Sequence, residues 1–173
     1  MNAGPLSLTQ WRAGFVRFAA LPLRFVVGYG FLAHGLAKWT KGPVAFAAIL
    51  HAAGVPASQL MAWATIIFEI VGGVAFLLGA YVSLVSIPAV IVLLVAIATV
   101  HLPYGFSSIK LLSVTAGKPQ FGPPGYECAL LYIVCIGTLG LTGPGAWSVD
   151  ALLRPATSSC RGRFRSPNNI EEN

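Results

Sequence analysis

Residues 60–102 read LMAWATIIFEIVGGVAFLLGAYVSLVSIPAVIVLLVAIATVHL, and Glu69 is the only Asp, Glu, Lys or Arg among them. A helix needs roughly 20 apolar residues to cross the hydrocarbon core of a bilayer, so this stretch is long enough for two crossings. We read one crossing over Leu60–Tyr81 and a second over Leu84–Leu102, with only Val82 and Ser83 between them. So short a connection makes the pair a tight antiparallel hairpin.

The same reading extends in both directions. Upstream, PLRFVVGYGFLAHGLAKW (Pro22–Trp39) is an apolar span that carries Arg24, His34 and Lys38. It lacks a basic leader and a small-residue cleavage site, so it is expected to remain in the mature chain. Between it and Leu60, GPVAFAAILHAAGVPAS (42–58) is too short to cross. Its Gly-Pro entry and Gly54/Pro56 exit enclose Phe46, Ile49, Leu50 and Ala53 at helical spacing, which predicts a short interfacial helix. Downstream, a fourth and shortest span is read over Tyr126–Leu141. The loop PYGFSSIKLLSVTAGKPQFGPPG (103–125) separates it from the third span and is unusually long, a candidate lid or partner surface. After Pro144, AWSVDALL suggests a short turn of helix in which Asp150 caps the start.

Composition agrees. Only 9% of the 173 residues are charged and 56% are hydrophobic, whereas soluble domains carry roughly a quarter charged residues. The mean hydropathy is +0.77. The formal net charge of +6 comes from residues that flank apolar segments, not from a basic face interleaved with aromatics, which argues against nucleic acid as a partner. With four crossings, Arg12, Arg17, Arg24, Arg154, Arg161, Arg163 and Arg165 fall on the side of the termini. Lys38, Lys41, Lys110 and Lys118 fall opposite. The excess on the terminal side places both termini in the cytoplasm.

The expected fold is therefore an all-α integral membrane four-helix bundle with a short interfacial helix between spans 1 and 2. Residues 1–20 form a cytoplasmic N-terminal segment, 21–153 the membrane domain, and 154–173 a basic C-terminal tail too poor in apolar residues to fold.

Ionisable groups inside a membrane are costly and usually face the protein interior. Glu69 lies roughly 15 Å into its span by helical rise. It reads either as a proton carrier or ligand contact, or as a protonated carboxyl bonded within the bundle. His34 and Lys38 share a face at i and i+4. His101 closes the third span and Glu127 opens the fourth, at the same end of the molecule. Arg24, at the other end, could snorkel to the headgroups or pair with a carboxylate. No E-x-x-H or H-x-x-x-H pair is present to organise a metal, and no C-x-x-C supports thiol exchange. Cys128 and Cys135 lie roughly 10 Å apart on a helix, too far for a disulfide.

In their order, G-x-x-x-x-x-H-G-x-x-K (Gly28, His34, Gly35, Lys38), Gly54 and Pro56, E-x-x-G-G (Glu69, Gly72, Gly73) with Gly79, Gly125 and Glu127, and GPGAWSVDALL with Ser148 and Asp150 resemble the DoxX-like family. The resemblance covers about Arg24–Leu153. It implies a bacterial cytoplasmic-membrane protein of four helices. Some relatives are subunits of a thiosulfate:quinone oxidoreductase, and others belong to a membrane oxidoreductase complex of oxidative-stress defence. On that basis the expected function is a subunit of a quinone-linked redox system. By residue type, His34 or His101 would donate a hydrogen bond to the quinone carbonyls and Glu69 would give the proton route, with Glu69 and His34 as the catalytic candidates and Lys38, His101, Glu127 and Arg24 as ligand contacts. Quinone is the one cofactor implied; no haem, flavin or iron–sulfur pattern is present, so electrons would come from a partner redox protein. The alternatives are a non-enzymatic scaffold or assembly factor, or a proton or small-molecule transporter acting as a homo-oligomer.

Overall fold

A computed structural model describes residues 18–153. Residues 1–17 of the N-terminal segment and the basic C-terminal tail lie outside the described residues. Helix α1 covers Ala20–Lys41, α2 covers Pro43–Ala52 and α3 covers Ser58–Leu78. Helix α4 begins as Val82–Ala96 and runs on through a π-helical turn, Ile97–His101, and a 3-10 turn, Leu102–Tyr104. Helix α5 covers Glu127–Thr142, and a final short helix, α6, covers Val149–Leu153.

Three of these helices, α1, α3 and the 23-residue Val82–Tyr104 unit, are long and apolar enough to cross a membrane. Their outer faces present Phe25, Ile67, Val71, Leu84, Ile87 and Ile91, all exposed. Such a surface suits lipid better than water.

Helices α1 and α3 form the closest contact. Gly28 sits against Leu77, Gly73 against Leu32 and Gly35 against Ile70, an antiparallel register. A Cβ on Gly73 would lie 2.6 Å from the backbone nitrogen of Leu32, so the two backbones meet with no room for a side chain. Phe31 centres the core, with its ring 6.1 Å from Phe76 and 6.3 Å from both Phe68 and Tyr132. Helix α5 supplies Tyr132 together with the fully buried Ile136 and Leu139. It runs beside α4, where the Ser83 hydroxyl donates to the Gly140 carbonyl at 3.1 Å.

The interfacial helix expected between the first two spans is α2. Its Ala47 and Leu50 pack with Ala62 of α3, joined by Phe46 and Val55. The predicted turn at Val82–Ser83 falls three residues earlier. Gly79, at φ +68°, ends α3, and Val82 already begins α4.

One correction concerns the fold class. The chain is not purely α: β1 (Leu111–Thr115) and β2 (Lys118–Phe121) form an antiparallel hairpin inside the long loop. Ala116 and Gly117 both adopt positive φ, +50° and +73°, the left-handed pair that tight two-residue hairpins require. Pro119 and a bulge between Leu111 and Ser113 interrupt the alternation that marks a strand, which is why the sequence reads as loop.

Candidate functional site

The two ends of the helices carry different polar constructions. At the end where the described residues begin and finish, Arg24 turns inward. It is 3% exposed, and its hydrogen bonds go to backbone carbonyls instead of to headgroups. Its Nε donates to the Phe76 carbonyl at 3.1 Å and its Nη2 to Leu77 at 2.7 Å. Its Nη1 reaches the carbonyls of Pro144, Ala146 and Trp147 at 3.1–3.2 Å. The first two carbonyls belong to the last turn of α3, whose C-terminal groups lack helical partners and carry the negative end of the helix dipole. The guanidinium therefore caps α3 and at the same time binds the segment that follows α5.

That segment acts in return on α4. Asp150 accepts from the backbone N–H of Tyr81 at 2.6 Å and of Val82 at 3.1 Å, and its own N–H donates to the Gly79 carbonyl at 3.1 Å. A carboxylate thus caps the positive end of α4, supplied from 68 residues further along the chain instead of from the preceding turn. Ser148, buried, bonds within its own turn to Gly145 and Ala151. Gly79 is held at this point: a Cβ there would lie 2.6 Å from both the Arg24 guanidinium carbon and the Ser148 Cβ. Replacing Asp150 with alanine is expected to lower stability by about 1–2 kcal/mol, the range for loss of a helix cap. Thermal unfolding in detergent measures this, and an unchanged midpoint would refute the capping role.

At the opposite end, Lys38 of α1 and Glu69 of α3 form an ion pair, Nζ to Oε1 at 2.5 Å. The lysine side chain is 25% exposed and the carboxylate 7%, so access is from the lysine's side. The ammonium also lies 4.8 Å from the centre of the Phe46 ring of α2, a cation–π contact. Behind the pair, a Cβ on Gly35 would come within 3.0 Å of the Glu69 Cβ and the Ile70 backbone nitrogen, so the helices close there without a gap. The second carboxylate oxygen, Oε2, is buried and has no hydrogen-bond partner among the described residues. Leaving a buried polar atom unsatisfied costs about 1–3 kcal/mol, and more for a charged group.

A DoxX family model matches residues 19–102. Residues 19–102 are thus similar to the DoxX family. No curated protein and no solved structure matches the chain. The DoxX match contains Arg24, His34, Lys38, Glu69 and His101, whereas Glu127, Ser148 and Asp150 lie beyond it.

Of the residues singled out from the sequence, the DoxX-like region brings Lys38 and Glu69 into direct contact. His34, one helical turn deeper in α1 than Lys38, is exposed and lies one turn from Gly30, which faces Tyr132 of α5. His101 and Glu127 are engaged by the loop. The His101 Nδ1 is 3.1 Å from the Pro124 carbonyl, and the Glu127 carboxylate accepts the Ser108 N–H at 3.0 Å. Backbone N–H groups of Gly125, Tyr126 and Glu127 donate to Ser107, Gly105 and Phe106 and close the same junction. Phe46 escaped the sequence reading because its contact with Lys38 depends on how α2 folds back. Asp150 was visible only as a local cap, since its partners lie in a distant turn.

Proposed function

We propose that the chain is a quinone-binding membrane subunit of an oxidoreductase complex, with Lys38 and Glu69 as its working pair. The observation that carries this reading is the unpaired Glu69 Oε2 behind an accessible ammonium. A lysine has three N–H donors, and one of them is committed to Glu69. Another is free to bond a carbonyl oxygen approaching from the lipid side, while the buried carboxylate can hold or pass a proton. Reduction of a quinone consumes two protons along with two electrons. The pair supplies a route for the protons, and the electrons come from a partner redox protein. His34 lies on the same helix within one turn and remains a candidate for the proton path.

We further infer that α5 makes a fourth crossing, in a bacterial cytoplasmic membrane with both termini inside. Its 16 residues rise about 24 Å, a modest shortfall that bilayer thinning can absorb. It accompanies α4 from the His101–Pro124 contact at one end to the Ser83–Gly140 contact at the other, which supports equal depth.

The test is organic extraction of the purified protein followed by analysis for bound quinone, with quinone reduction measured in membranes that carry Glu69→Gln or Lys38→Met. Bound quinone and a drop of at least tenfold in reduction are expected. Absence of quinone together with unchanged reduction would overturn the redox reading. A scaffold role would then be favoured, because Arg24, Asp150, His101 and Glu127 all hold the fold together.

A further inference from the structure

The hairpin in the long loop has two chemically distinct faces. Its register pairs Ser113 with Gln120 and Thr115 with Lys118, and between these pairs Val114 with Pro119. Side chains alternate across a strand, so Ser113, Thr115, Lys118 and Gln120 share one face. Val114 and Pro119 share the other. The bulge between Leu111 and Ser113 inserts one residue and brings Leu111, paired with Phe121, onto that second face. Without the bulge, Leu111 would fall on the polar side. All nine strand residues are exposed, and the apolar side chains include Leu111, Leu112, Val114 and Phe121.

A two-stranded hairpin is marginal in water and needs an apolar surface to cover its face. Where this hairpin is tethered narrows what that surface is. The strands hang between the end of α4 and the start of α5, and the junction is fixed by the Glu127–Ser108 and His101–Pro124 contacts. Because α1, α3, α4 and α5 alternate in direction, this is also the end that carries α2. There the outward Val44 and Ile49 are exposed in the same way. From Leu102 to Tyr126 the chain holds Lys110 and Lys118 and no Asp or Glu. The segment also carries the exposed aromatics Tyr104, Phe106 and Phe121. Basic charge, aromatic rings and a one-sided apolar face together are the composition of elements that settle at a lipid interface.

We propose that the hairpin is an interfacial lipid anchor. Its Leu111/Val114/Pro119/Phe121 face enters the boundary between headgroups and acyl chains of an anionic membrane, continuous with the lipid-facing surface of α4, and its Ser113/Thr115/Lys118/Gln120 face meets the headgroups and water. The anchor holds the loop flat beside the helix ends instead of letting it extend away from the membrane.

The test uses the full, unmodified chain in nanodiscs of phosphatidylethanolamine and phosphatidylglycerol. The sample is photolabelled in parallel with a lipid-soluble and a water-soluble carbene reagent, and modification is read residue by residue by mass spectrometry. The lipid-soluble reagent is expected to modify Leu111, Leu112, Val114 and Phe121 several-fold more than Ser113, Thr115, Lys118 and Gln120, and the water-soluble reagent the reverse. Equal labelling of the two faces by either reagent would overturn the proposal. So would an apolar face protected from both, which would mean that a second copy or another protein covers it.

Discussion

Replacing Arg24 with alanine is expected to detach the segment after α5 and to destabilise the protein by about 3–5 kcal/mol, since several buried carbonyls lose a donor and each unsatisfied one costs about 1–3 kcal/mol. The guanidinium places all of its bonds on backbone carbonyls: two in the last turn of α3 and three between Pro144 and Trp147. Water cannot replace it at a site only 3% exposed. Arg24→Lys should recover only part of the loss. An ammonium has three donors on a point charge, and a planar fork of five is what spans two separate groups of carbonyls. Unfolding midpoints in detergent, together with proteolysis near Gly143–Leu153, measure both consequences. An alanine variant within about 1 kcal/mol of the parent, with the segment still protected, would refute the assignment.

Arg24 also shows where the sequence stops being legible. Its position in an apolar span marked it as unusual, and the cost of a charge there left two readings, snorkelling to the headgroups or pairing with a carboxylate. The partner turned out to be backbone, and backbone carbonyls carry no signature in a sequence. The same limit applies to Asp150, whose capping role is visible from sequence but whose beneficiary, α4, is not. Hydropathy alone located the long apolar helices to within a few residues at each end, because their boundaries are set by where apolar residues stop. The hairpin was missed because a bulge and a proline break the alternation that would have announced it. Topology puts His101 and Glu127 at one end of the helices, yet rotation about each helix axis decides what a side chain meets. That rotation turned both toward the loop.

The Lys38–Glu69 pair is expected to behave asymmetrically when its members are removed one at a time. Lys38→Met leaves a carboxylate that is 7% exposed without its counter-ion, and should cost about 3–5 kcal/mol. Glu69→Gln should cost less, since Lys38 is 25% exposed and can turn toward water while keeping its contact with Phe46. The double variant Lys38→Met/Glu69→Leu removes both charges and should return close to the parent stability, as replacement of a buried ion pair by apolar side chains commonly does. A double-mutant cycle on unfolding in detergent yields the coupling between the two positions. If the double variant is stable and has lost quinone reduction, the pair is held for its chemistry and not for the fold. If the double variant is as unstable as Lys38→Met alone, the pair is a structural element of the α1–α3 contact, and the proton route proposed through Glu69 would have to be abandoned.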